Sequence, residues 1–233
     1  MMRRRLLLAL STLATLQVVQ LLGCVPIIGT ASARVEIRDK NTKAPLNDCM
    51  LNTYSHTETS TLLPVAYAGS FGKIETDDLA PLKSGGMVTA GGIHLCISPL
   101  GLTTTQWSFG VYAKGHLRRG FGCGDLEDCE RDNKPLVVEL EPYVAGESLE
   151  TDSEAYFMAY GVFDDVKSCR FSGEVAATLA RWMADMMDDL CRGRPQEWAT
   201  CLPTSGSSPE YPYGFSRRNV EALAKLLREQ SKR

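Results

Sequence analysis

The hydrophobic pattern changes period along the chain. Between residues 34 and 142, apolar positions alternate with polar ones in short runs broken by Gly, Pro, Asn and Asp. Val35-Glu-Ile37-Arg presents one apolar and one charged face. Trp107-Ser-Phe109-Gly-Val111-Tyr-Ala113 sets Trp107, Phe109 and Val111 on one side, and Leu136-Val-Val138-Glu-Leu140 repeats the pattern before Pro142 stops it. A period of two is that of a half-buried strand. Shorter runs near Cys49–Tyr54, Ser70–Glu75, Ile93–Ile97 and Leu117–Phe121 predict further strands, with turns at Asp39–Pro45 and Asp77–Gly86. Several short strands separated by turn chemistry predict a sandwich or barrel.

From Ser172 the period becomes 3.6. Val175, Leu179, Trp182, Met186 and Leu190 recur at steps of four, three, four and four, with Met183 and Met187 beside them. That stripe predicts one amphipathic helix from Ser172 to Leu190, capped by Ser172 and ended by Arg192-Gly193 and Pro195. A second helix is expected from Ser216 or Asn219 to about Gln230, with Val220, Leu223, Ala224 and Leu227 inward and Lys225, Arg228, Lys232 and Arg233 toward its negative C-terminal end. A shorter helical segment is expected over Ser153–Tyr160, after a polar hinge at Val144–Asp152. Pro203–Gly214 reads as an exposed loop whose Tyr211 and Tyr213 are candidates for a binding patch.

The N-terminus reads differently. Arg3, Arg4 and Arg5 precede Leu6–Leu22, a run without charge diluted by Ser11, Thr12, Thr15, Gln17 and Gln20. A basic start and an apolar run describe an export signal. The run closes on Leu21-Leu22-Gly23-Cys24, which resembles the lipobox of bacterial lipoproteins. The resemblance implies removal of residues 1–23 and lipidation of Cys24 by palmitate-type acyl chains, two or more of which anchor stably in a membrane. It further implies a place in the bacterial cell envelope, on the outer membrane if the cell has two. Three rival readings stand beside it: cleavage at Ala31-Ser32-Ala33, giving a secreted or periplasmic chain from Arg34; an uncleaved anchor from Leu6 to Ile28; and coincidence, with Cys24 an ordinary thiol near a signal. The expected organisation is a signal peptide over 1–23, a lipid-proximal tether over 24–33, a β-sandwich over 34–142 and a helical region over 143–233.

Composition narrows the class. The chain has 233 residues, 44% hydrophobic and 23% charged, which excludes a disordered or polytopic membrane protein. Residues 1–23 hold three of the 25 Lys+Arg and none of the 28 Asp+Glu, so the rest carries a net charge of −6 rather than −3. A nucleic-acid partner would call for a basic patch, and none is expected.

Seven cysteines follow Cys24: Cys49, Cys96, Cys123, Cys129, Cys169, Cys191 and Cys201. An envelope compartment permits disulfides, so all seven are disulfide candidates, and an odd count leaves one thiol over. Cys123–Cys129 would close a short polar loop, Cys49–Cys96 would join two strands, and Cys201 would take Cys191 or Cys169. Burial as small hydrophobes is the competing reading. Cys169 and Cys191, at opposite ends of a helix, cannot meet. No Cys-x-x-Cys occurs and His56, His94 and His116 stand singly, so no zinc site or other cofactor is expected. Asp125, Glu127, Asp128, Glu130 and Asp132 cluster in and beside the Cys123–Cys129 segment, which reads as a solvated acidic loop with calcium binding as the alternative.

One longer resemblance covers the strands. Val35-x-Ile37-x-Asp39-x-x-Thr42-x-x-Pro45-Leu46, Gly69-x-Phe71, Val111-x-Ala113-x-Gly115 and the closing Leu136-Val-Val-Glu-Leu-Glu-Pro142 are similar to the carboxypeptidase regulatory-like domains of the transthyretin-like group. His116 stands where those domains usually carry an aromatic residue, and Thr76-Asp77 follows Gly69-x-Phe71 where such a pair usually precedes it. The resemblance implies a transthyretin-like antiparallel β-sandwich; with the small C-terminal helical region read from the 3.6 period, the expected class is α+β. The resemblance also implies a non-catalytic module for adhesion, spacing or protein contact. No Gly-x-Ser-x-Gly, P-loop or His-Glu-x-x-His motif is present, and no catalytic residue is named. The expected role is binding or assembly in the envelope, with the membrane reached through lipid on Cys24 and another envelope protein or polymer as partner. The alternative is a secreted or tethered hydrolase with its site between sandwich and helices.

Overall fold

The computed structural model describes residues 25–60, 73–98, 101–193 and 215–232, with backbone alone for 25–29, 57–60, 73–77, 91–98 and 101–105. The signal segment, Cys24, Cys201 and the Pro203–Gly214 loop with Tyr211 and Tyr213 lie outside the described residues. So do the side chains of Cys96 and His94.

The described chain is α+β. Seven strands come first: β1 (Val25–Asp39), β2 (Cys49–Ser60), β3 (Lys73–Leu82), β4 (Gly86–Ser98), β5 (Gly101–Ala113), β6 (Arg119–Gly122) and β7 (Leu136–Leu140). Helix α1 (Cys123–Arg131) sits between β6 and β7, and α2 (Leu149–Lys167), α3 (Gly173–Gly193) and α4 (Arg217–Gln230) follow. The strands run in the order β3-β2-β5-β4-β1-β7, with β6 on the other side of β5. β4 and β5 pair only from Cys96–Ser98 to Gly101–Thr103, at the tip of their hairpin. Beyond it they part into two layers, β7-β1-β4 and β3-β2-β5-β6. All pairs are antiparallel except β1–β7, which is parallel, a departure from the all-antiparallel expectation. A parallel neighbour needs a long crossover, and nearly the whole sandwich intervenes between β1 and β7.

Alternation decides which residues fill the space between the layers. Val35, Ile37, Val88, Val138 and Leu140 from one layer meet Cys49, Leu51, Phe109 and Val111 from the other in a single cluster. Their sequence neighbours Met50 and Tyr112 point the opposite way and join a second cluster built from α2, α3 and α4. The molecule is therefore three layers deep, and the middle sheet is covered on both faces at that end. A sheet face and a helix stripe that bury each other in this way are what hold short helices in place.

Three boundaries differ from the sequence reading. β1 starts at Val25, so residues 25–33 are strand rather than tether; Ala31 and Ala33 are buried and pair with Ala90 and Val88. The turn expected over Asp77–Gly86 shrinks to Lys83–Gly85, because β3 continues to Leu82. Helix α2 covers 19 residues, not the eight of Ser153–Tyr160, and the expected hinge is ordered. Ser148 caps α2 by accepting a hydrogen bond from Thr151 N at 3.0 Å. Asp152, fully buried, accepts from the Tyr143 hydroxyl at 3.0 Å and from Gly146 N at 3.1 Å. Those bonds answer the burial cost of a carboxylate and pin the connection to the sandwich. The last helix agrees closely with expectation: Ser216 accepts from Asn219 N at 3.3 Å, and Val220, Leu223, Ala224 and Leu227 are buried.

Candidate functional site

The acidic segment is a helix, not a loop. α1 starts after Gly122, whose N–H donates to Asp125 Oδ2 at 2.7 Å. Leu126 and Cys129, three positions apart, are its buried residues and face the core between the two β layers. Its carboxylates, which the calcium alternative would need to converge, are spread over separate partners. Asp128 takes Arg131 at 2.8 Å, Asp132 takes Lys134 at 2.6 Å, Glu130 accepts from Ser32 N at 3.2 Å, and Glu127 accepts weakly from Cys123 Sγ at 3.6 Å. Among the described residues no three His, Cys, Asp or Glu side chains are grouped as metal ligands. A calcium site needs several oxygens aimed at one point, and here each helical turn aims them elsewhere.

The described thiols are all free. Cys123 and Cys129 lie six residues apart on α1, about 9 Å along its axis at 1.5 Å per residue, so the bridge expected between them does not form. Cys49, Cys169 and Cys191 are also free. Cys49 donates to Leu46 O at 3.5 Å, and burial first, then the adjacent Asp48 charge, pushes its thiol up to about 11. Cys123 rises to about 11 through burial and the Glu127 carboxylate. Cys169 is exposed, in a left-handed backbone conformation at φ 61°.

A histidine and a carboxylate do meet. Asp39 ends β1, and its Oδ1 accepts from Asn41 N, Thr42 N and Thr42 Oγ1 at 2.9, 2.6 and 3.0 Å. His116 Nε2 lies 3.0 Å from Asp39 Oδ2, and His116 Nδ1 lies 2.9 Å from Lys114 O. Both side chains are mostly buried, at 12% and 14% exposure. The backbone N–H of Thr42 first, then the His116 bond, hold the Asp39 carboxyl down at about 2, against an ordinary 3.8. This is the pair a hydrolase would borrow, but both ring nitrogens are occupied and the facing hydroxyl, Thr42, bonds to Asp39. A general base needs a free nitrogen within reach of a nucleophile. The pair is built as a clasp between two turns.

A concave surface with mixed chemistry lies elsewhere. β2 starts where β3 and β5 end: Cys49 pairs with Leu82 and Ala113. That end of the middle sheet therefore carries Lys83, Asp48 and Lys114 side by side, in the sheet order β3-β2-β5. Helix α3 crosses it, setting Glu174, Val175, Thr178 and Trp182 opposite Met50, Pro81 and Leu82. A cleft of about 470 Å³ lies between them. Val175 and Trp182, read from the sequence as core, are only half-buried, and they form its helical wall. Leu179, Met186 and Leu190 of the predicted stripe are buried, and the buried face of α3 widens from them to Ala176, Ala180, Met183 and Met187. Glu174, Thr178 and Trp182 at steps of four were the available signal, since two polar residues on one helical line mark a face that meets water.

The chain matches no known family model and no curated protein sequence. Among those described, no helix is long and apolar enough to cross a membrane, and Val25–Ile28, where an anchor from Leu6 would end, are strand.

Proposed function

We propose that the protein is a bacterial cell-envelope lipoprotein, held on a membrane by acyl chains on Cys24, whose transthyretin-like sandwich and helical layer serve a non-catalytic binding or assembly role. The observation that carries this reading is the start of β1 at Val25. Cleavage before Cys24 leaves the strand whole. Cleavage after Ala33 would remove the part of β1 that pairs with Val88–Ile97 and would uncover the core beside Ala31 and Ala33. The pairing of residues 25–33 supports a start at Cys24 over one at Arg34. Because β1 begins at the residue after Cys24, this reading has the sandwich close to the bilayer and not on a tether.

Cys24→Ala should abolish metabolic acyl labelling and move the protein from the membrane fraction to the soluble one. Labelling that survives the substitution, or a mature start at Arg34 by mass spectrometry, would sink the reading. Crosslinking on the native membrane should return a recurring envelope protein or polymer as partner.

A further inference from the structure

The cleft beside Trp182 has the size and lining of a ligand site: its volume of about 470 Å³ falls within the 300–1,000 Å³ usual for small-molecule pockets, and it sits where two cores meet. Its floor is apolar, from Met50, Leu82, Val175 and the Trp182 ring. Its rim carries Lys83 and Lys114 on the sheet side, Asp48 between them, and Glu174 on the helix. All four are exposed, and none makes an ion pair among the described residues, although other exposed charges of the protein, beside β7 and around α1, are paired. An apolar floor ringed by unpaired charges of both signs is complementary to a molecule with a greasy body and two opposite charges. Tryptophan is among the side chains enriched where binding energy concentrates in protein interfaces.

We propose that this cleft binds a free amino acid or short peptide carrying a large apolar side chain, which stacks on Trp182 while the ammonium and carboxylate ends pair with the rim. The inference rests on the binding role proposed above and not on the lipid. It names the ligand class of that role: a zwitterion with one bulky hydrophobic group. A purely apolar ligand would leave the four charges unused, and a simple anion would meet Asp48 and Glu174.

Calorimetry on the full mature chain with the dipeptide Phe-Leu tests it, alongside N-acetyl-Phe-Leu-amide, which keeps the side chains and loses both end charges. Phe-Leu should bind and quench indole fluorescence. The blocked peptide should bind roughly fivefold more weakly or worse, on the scale of exposed ion pairs. Trp182→Ala should remove binding. Because that change also thins the helix contact, Lys83→Met with Lys114→Met, both at exposed positions, supplies a second variant; it should keep the melting temperature and lose roughly fivefold in affinity. Absence of Phe-Leu binding at millimolar concentration, or equal affinity for the two peptides, overturns the proposal. So does full affinity in the double lysine variant. If any of these occurs while Cys24 labelling persists, the ligand assignment fails and the lipoprotein reading stands; loss of labelling with Phe-Leu binding intact gives the reverse.

Discussion

His116 Nε2 lies 3.0 Å from Asp39 Oδ2, joining residues 77 positions apart. Asp39 ends β1 and opens the Asp-x-x-Thr turn, and His116 follows the end of β5. A hydrogen bond to a carboxylate thus ties the turn after β1 to the turn after β5. Beside it Leu117 N donates to Glu141 O at 2.9 Å, and Tyr143 N to Gly115 O at 2.8 Å.

This clasp sets an acid limit. Asp39 is held at about 2 in the fold, below its ordinary 3.8, so its contribution is complete above about pH 4 and disappears as pH falls toward 2. Asp39→Asn keeps the size and loses the charge. It should lower the melting temperature at pH 7, with the gap to wild type closing near pH 2. His116→Phe should cost less, since the Asn41 and Thr42 N–H groups still hold Asp39. Melting curves between pH 2 and 7 decide; a gap independent of pH would assign the effect to shape and not to charge.

The first half of β1 should be needed for folding. Eight of the ten registered β1–β4 pairs involve residues before Arg34. At about 1 kcal/mol per net hydrogen bond, a chain beginning at Arg34 loses on the order of 5 kcal/mol or more, a large part of a typical domain's total. Such a chain should be insoluble or give poorly dispersed amide spectra. A well-folded product would show that residues 25–33 are dispensable after all.

What could be read in advance followed how local each signal was. The 3.6 period in α3, the caps at Ser216, and the alternation in β5 and β7 are written within one or two turns of chain, and they reappear in the fold. Helix α1 was hidden because its nine residues bury only Leu126 and Cys129, too few to show a period. α2 was shortened because Phe157, Met158, Tyr160 and Val166 are partly buried beside its fully buried Tyr156 and Phe163, which blurs the apolar stripe. The Asp39–His116 clasp and the Trp182 cleft join segments far apart in sequence, so no window contains them.

Thiol reactivity should rank by burial. Cys169 is exposed, Cys123 and Cys191 are half-buried with raised thiol values, and Cys49 and Cys129 are buried. Since the thiolate is the nucleophile, brief maleimide treatment of the native chain at pH 7 should label Cys169 first among the described thiols, by a wide margin. Cys49 and Cys129 should react only on unfolding. Peptide mapping reads the order. Protection of Cys123 together with Cys129 that is lost on reduction would instead reveal a bridge incompatible with α1.

Two glycines in helices should respond in opposite directions to alanine. Gly193 ends α3 where the chain presses on the segment before α2: an added Cβ would lie 2.8 Å from Ala145 O and 2.9 Å from Ala145 Cβ. Its neighbour across the contact, Gly146, has φ 83° and would place a Cβ 2.8 Å from Gly193 O. Backbone lies on both sides, so no flexible side chain can swing away, and Gly193→Ala should cost about 1–3 kcal/mol. Gly161 lies inside α2, and a Cβ there meets nothing within 4 Å. Gly161→Ala should therefore stabilise by about 0.5–1 kcal/mol, through the entropy that glycine gives up in a helix. Denaturant unfolding of both variants tests the joint between the sandwich and the helical layer. If Gly193→Ala were neutral while Gly161→Ala stabilised, the close approach of residues 145–146 to the end of α3 would be wrong, and with it the ordered connection that Asp152 holds.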